Sequence, residues 1–156
     1  MPIVTLRDVT ESDLPIFYAQ QLNPDATRMA AFPARDQEAF MLHWTTNVLA
    51  NSTGLVRTIV ADDQVAGNIV SYVSPEVGRE VGYWLGSDYW GKGIATQALR
   101  QFLQIDILRP LYAHVAKHNL GSRRVLEKCG FVAVGAALID EGEGASLLEE
   151  VILALQ

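Results

Sequence analysis

A chain of 156 residues fits one domain spanning 1–156, and 49% hydrophobic residues are enough to build a core without covalent staples, which excludes a disordered segment and a disulfide scaffold. Its single cysteine, Cys129, cannot pair within the chain, and no apolar run approaches the ~18 residues of a membrane span, so a cytoplasmic protein without membrane attachment is expected. The net charge of -6 argues against direct nucleic-acid binding, which draws its affinity from Lys and Arg on phosphates, and suits a cationic substrate.

In chain order, residues 3–8 alternate as a strand. Thr10-Glu11-Ser12-Asp13 resembles a capping box ahead of Leu14, Phe17, Tyr18 and Leu22 at helical spacing. Pro33 and Asp36 introduce a second helix with Phe40, Met41, Trp44 and Val48 on one face, ended by Asn51-Ser52-Thr53-Gly54. Segments 55–61, 65–73 and 80–85 read as an antiparallel meander, broken by Asp62-Asp63-Gln64 and by Ser74-Pro75-Glu76-Val77-Gly78. From Ile94 the period lengthens to about 3.6, with Ala98, Leu99, Phe102 and Leu103 on a helical stripe that Pro110 is expected to stop. A strand at 111–117, a helix from about 121 to 129, and strands 131–136 and 147–155 follow, the last two split by the acidic loop Asp140-Glu141-Gly142-Glu143-Gly144. The order implies an α/β chain with a mixed, mostly antiparallel sheet of about seven strands and about four helices.

The stretch from Tyr83 to Thr96 carries the most chemistry. Gly91 and Gly93 permit a left-handed turn and close backbone approach, small Ala95 keeps the first helical turn uncrowded, and the free N–H groups there form an anion site suited to a pyrophosphate. Gly86 to Gly93 nearly spells a P-loop, but Gly93 stands where Ser or Thr must hold magnesium, and Asp88, Tyr89 and Trp90 bring charge and bulk where phosphates would lie. A dinucleotide fingerprint would need glycine at Thr96 and a later acidic residue at a strand end, and has neither. An ordinary strand-to-helix connection and the pyrophosphate of coenzyme A are left.

A second signature, His118-Asn119-Leu120-Gly121-Ser122-Arg123-Arg124-Val125-Leu126-Glu127-Lys128-Cys129-Gly130-Phe131, together with Gly93 and Ala95, resembles the Gcn5-related N-acetyltransferase superfamily, in the branch similar to ribosomal-protein N-terminal acetyltransferases. The resemblance covers essentially the whole chain and implies that superfamily's acyl-CoA N-acyltransferase fold, acetyl-CoA as the acetyl donor, no metal, and direct attack by an amine. Two positions depart from the pattern: Trp90 replaces the Gln or Arg that opens the loop motif, and Leu126 occupies the position where many members carry a tyrosine acid. The resemblance implies a cofactor site of Trp84, Leu85, Trp90, Gly91, Lys92, Gly93, Ile94, Ala95, Thr96, Asn119 and Ser122, with main-chain groups of Trp84 and Leu85 holding the pantetheine arm.

For catalysis, Glu80 begins the cofactor strand and shares a face with Gly82 and Trp84, which makes it the candidate base, and Glu141 is the alternative. With Leu126 unable to donate, Ser122 is the candidate acid or water-orienting group. Each has a plainer reading: Asn119 and Ser122 as helix caps, and Glu80 as a solvated strand end. His114 and His118 read as ordinary sheet or surface residues, and Cys129 as a small core residue. The expected acceptor is a protein N-terminus or a small-molecule amine, drawn in by a rim of Asp140, Glu141 and Glu143. The chain is expected as a monomer or homodimer.

Overall fold

The computed structural model describes residues 2–30, 35–140 and 147–156. Seven strands join one sheet in the order β1-β2-β3-β4-β5-β7-β6: β1 (Val4–Arg7), β2 (Leu55–Ala61), β3 (Gln64–Ser74), β4 (Gly78–Leu85), β5 (Leu111–Ala116), β6 (Val132–Asp140) and β7 (Leu147–Leu155). Neighbours are antiparallel except β4 and β5, which run parallel and meet at a single pair, Glu80 opposite Tyr112. Beyond that pair the two strands part. The wedge between them is where the site lies.

Alternation along the strands sorts side chains to two faces. Ile59, Ala61, Ile69, Val81, Leu85, Leu111, Ala113, Val115 and Leu153 join Ile94, Ala98, Leu99, Phe102 and Leu126 of helices α4 (Ile94–Ile105) and α5 (Leu120–Lys128) in the larger core. On the opposite face a smaller core gathers Leu14 and Phe17 of α1 (Leu14–Gln21) with Phe40 of α3 (Gln37–His43) and Trp44. The rings of Phe17 and Trp44 lie 5.0 Å apart, and α3 runs on through one wide turn in which Leu49 N–H bonds the Trp44 carbonyl. Phe40, Met41, Trp44 and Val48 thus share a face as their spacing requires.

Local signals account for most boundaries. Asp36 caps α3 by accepting from Ala39 N–H at 2.8 Å, and Asp62 and Asp63, at φ 48° and 66°, make the two-residue turn of the β2–β3 hairpin. Three elements differ from expectation, the first being β6, which runs on from the expected end at 136 to Asp140 by pairing with β7. A further helix, α2 (Pro24–Ala30), stands where none was read: Asn23 accepts from Asp25 and Ala26 N–H groups, and Pro24 fits the first turn because it needs no N–H partner there. The α4 helix ends at Ile105, well before Pro110, because the Asp106 carboxylate turns inward to Arg79 at 2.8 Å.

Candidate active site

The pocket grows from α4's first turn. Gly91 and Gly93 adopt φ 71° and 78°, the left-handed region that favours glycine, and swing the chain so that the Ile94, Ala95 and Thr96 N–H groups open outward without intrahelical partners. A Cβ at Gly91 would meet no atom within 4 Å, so the backbone there borders open space. Trp90 fastens the approach, its indole N–H donating to the Leu85 carbonyl at 2.9 Å. This cradle opens into a cavity of about 430 Å³ that reaches the parted ends of β4 and β5.

Of the expected cofactor residues, Trp84, Leu85, Trp90, Gly91, Gly93, Ile94, Ala95, Thr96, Asn119 and Ser122 all line this cavity, and Lys92, which points to solvent, does not. Sequence reading missed Ala26 and Met29 of α2 and Lys128 of α5, which line it too. The Gly86 N–H donates to the Ala66 carbonyl of β3. By alternation the main-chain groups of Trp84 also face β3, while those of Tyr83 and Leu85 face the wedge. The main-chain groups of Tyr83 and the Leu85 N–H are therefore turned to the wedge, the Leu85 carbonyl being taken by the Trp90 indole, whereas Trp84, expected to hold the arm by its main chain, is turned to β3.

Asn119 caps α5 by accepting from Ser122 N–H at 3.2 Å, as its plainer reading held, and it lines the cavity as well. The Ser122 hydroxyl accepts from the Tyr83 phenol at 3.1 Å, which leaves its own proton free to point into the cavity. Burial pushes the Tyr83 phenol up, and the hydrogen bond with Ser122 offsets part of that rise. Leu126 is 3% exposed and packs in the larger core. Cys129 also packs against the core, its thiol pushed up by burial, in keeping with a small apolar role.

Glu80, Gly82 and Trp84 occupy the other face of β4, toward the first three helices; the Trp84 indole donates to the Gln20 carbonyl at 3.3 Å. A Cβ at Gly82 would meet nothing within 4 Å, so a gap separates Glu80 from Trp84. Glu80 is 12% exposed and lies 3.3 Å from His114, which in turn bonds Glu150. His114 is thus held between two carboxylates, a placement that its isolated position in the sequence did not reveal. His118 sits apart, against the Arg28 carbonyl. The side chains of Asp140, Glu141 and Glu143 lie outside the described residues, so neither the alternative base nor the acidic rim is placed. Among the described residues no helix is long and apolar enough to cross a membrane.

Comparison with known proteins converges on one family. Residues 4–132 match the model described as "Acetyltransferase (GNAT) domain". Two relatives from Bacillus subtilis (strain 168) are similar in sequence. The probable N-acetyltransferase YjcK is 43% identical over 61 residues, 36% of this chain and 34% of the relative. The putative ribosomal N-acetyltransferase YdaF is 32% identical over 95 residues, 56% of this chain and 51% of the relative. The matches thus span about a third to a half of those relatives' lengths. In structure the chain resembles spermidine N-acetyltransferase from Vibrio cholerae, solved with CoA and spermine, at a TM-score of 0.81 and 16% identity, covering 97% of this chain and 94% of that one. With the family model spanning both the cradle and the parted strands, the chain belongs to the GNAT acetyltransferase domain family.

Proposed function

We propose that the chain is an acetyl-CoA-dependent N-acetyltransferase acting on a primary amine, either a peptide or protein N-terminus or a small-molecule amine, by direct attack in a ternary complex. One observation carries this reading: the anion cradle at the start of α4 opens into a cavity that reaches the wedge between β4 and β5, and Glu80 lies across the wedge on the opposite face. The cavity fits an acyl-CoA in its parts. Unpaired N–H groups with Lys128 nearby suit the pyrophosphate, and main chain open at Tyr83 and at the Leu85 N–H suits an amide-bearing arm.

When bound, acetyl-CoA supplies the thioester carbonyl. The chain's residues do the rest. Glu80 takes the proton that the amine must lose, with Glu141 as the alternative base, and the Gly82 gap admits the amine beside Glu80. Ser122, oriented by the Tyr83 phenol, offers its proton toward the departing sulfur. A second reading, a catalytically silent acyl-CoA-binding module, is favoured by Leu126, buried where a tyrosine acid would stand. Amine-dependent release of free thiol from acetyl-CoA is expected on the first reading and absent on the second.

For the acceptor, an α-amine titrates near 7.7–8.0 and a lysine near 10.4, so presenting lysine neutral costs about 3 kcal/mol more. A carboxylate base serves the α-amine or a low-pKa small amine more readily. The name of the YdaF relative supports an α-amine acceptor, and the spermine bound to the structural neighbour supports a small-molecule amine. Mass spectrometry of peptides with free and blocked N-termini should show transfer to the free terminus and little to internal lysines. Exclusive lysine modification would discard this acceptor model and leave the acetyltransferase reading in place.

A further inference from the structure

Glu80, His114 and Glu150 come from three neighbouring strands, β4, β5 and β7, and alternation puts all three on the face turned away from the larger core. Their side chains are 12%, 23% and 14% exposed. The register pairs Glu80 with Tyr112, so His114 is the next residue of β5 on that face, level with the Gly82 gap where the strands part. Its two ring nitrogens are not equivalent. Nδ1 makes a 3.3 Å hydrogen bond with Glu150 Oε1, whereas Nε2 lies 3.3 Å from Glu80 Oε1 outside hydrogen-bond geometry and is buried without a partner among the described residues. Since a carboxylate only accepts, Glu150 fixes the proton of neutral His114 on Nδ1 and leaves the Nε2 lone pair facing Glu80. Two acceptors at that distance are satisfied once a proton enters between them.

We propose that His114, held by Glu150, is a relay that removes from Glu80 the proton Glu80 takes from the acceptor amine. The proposal rests on the reading of Glu80 as the base. As the amine nitrogen bonds to the thioester carbon and the carbon–sulfur bond breaks, the amine proton passes to Glu80. Glu80 hands it to Nε2, whose lone pair faces Glu80 Oε1 at 3.3 Å. The imidazolium then lies between two carboxylates and gives its Nδ1 proton to Glu150, whose 14% exposed carboxyl passes it on to solvent; the ring then returns to its Nδ1–H form and Glu80 is ready again. The three side chains do not converge as metal ligands. Other titratable groups facing them are Tyr72 on β3, whose phenol burial pushes up and both glutamates push further, and Tyr112 on β5, which stands opposite Glu80. His114 is therefore a positioning and relay residue, and none of the three lines the cofactor cavity.

The test compares wild type with His114→Gln, Glu80→Gln and Glu150→Gln by kcat against pH with saturating amine and acetyl-CoA, by CoA calorimetry, and by nitrogen NMR of the His114 ring in the free enzyme. The relay requires His114→Gln to lower kcat about 10²-fold at neutral pH with CoA affinity unchanged. It also requires loss of the pH limb in the imidazole range. The ring of wild-type protein should show Nδ1–H, and its titration should shift in Glu80→Gln and in Glu150→Gln. A His114→Gln profile that follows wild type while Glu80→Gln is crippled would overturn the relay and leave the base in place. A Glu80→Gln enzyme that matches wild type would instead discard the base assignment, and the relay with it. If the His114 variant does not fold, the wild-type ring decides: a proton on Nε2, or a titration indifferent to Glu80→Gln, sinks the proposal.

Discussion

Ala95 lies in the first turn of α4, half-buried against the cavity, where a side chain of any size would stand before the open N–H groups. Ala95→Glu adds bulk and a negative charge at an anion site, and is expected to abolish CoA binding by calorimetry while the fold, followed by circular dichroism, is kept. Unchanged affinity would remove the cradle assignment. Residues that act through the backbone were legible at this scale, because glycine at 91 and 93 suits a left-handed turn and alanine at 95 an uncrowded first helical turn. Residues that act through side-chain neighbours were not. His114 is one histidine in an alternating strand, and Tyr83 one aromatic in another; only their partners, Glu80, Glu150 and Ser122, make them interesting.

The element that organises the site is β4. One face supplies Val81, Tyr83 and Leu85 to the core and cavity, the other supplies Glu80, Gly82 and Trp84, and its single pairing with β5 lets the sheet open between them. Gly82→Leu tests this division. With no atom within 4 Å of its Cβ the new side chain starts into open space, so thermal stability and CoA affinity should hold while the acceptor KM rises tenfold or more, on the order of a misfitted methylene group or two. Loss of CoA affinity instead would mean that the two faces are not separate. The α2 helix shows how an element escapes a periodicity search. It is seven residues long, too short for a clear stripe, and its evidence is local: an Asn cap followed by Pro.

Across the whole molecule, two buried carboxylates tie distant parts of the chain together. Asp13 accepts from Arg7 at 2.7 and 2.8 Å and from Thr58 at 2.8 Å, joining the start of α1 to β1 and β2. Asp106 joins the end of α4 to Arg79 of β4. The Arg7 hydrogen bonds hold the Asp13 carboxyl well below the usual carboxylate range. For Asp106, burial pushes upward, but hydrogen bonds from Ser71 and Arg79 prevail and the net shift is downward. A carboxyl whose folded pKa is depressed contributes stability that is fully present above its unfolded value, near 3.9, and is lost as pH falls through the folded one. Stability should therefore be flat with respect to these two groups at neutral pH and fall steeply below about pH 4. Asp13→Ala should cost about 2–3 kcal/mol at pH 7, less than a fully buried pair because Arg7 is 42% exposed, and should flatten the acid limb of urea-midpoint measurements. An acid limb as steep as wild type would show that Asp13 does not carry it.

The sequence by itself determined the order of the strands and of every helix but α2, the glycine turn at 91–93, and the family. Each is written in short-range terms: a hydrophobic period of two or 3.6, caps and breakers, and motif residues that touch the ligand site through their own backbone. It also assigned Ser122 to the start of α5 and Glu80 to the β4 face of Gly82 and Trp84, because strand alternation and helix starts set direction locally. Only the tertiary structure decided what stands beside them. Strand order brought β7 next to β5, and so Glu150 to His114. The parting of β4 and β5 after one pair decided which main-chain groups are open, and α2 closed the cavity with Ala26 and Met29. Such pairings join residues tens of positions apart, and no local pattern encodes them, because their free energy is realised only when the sheet closes.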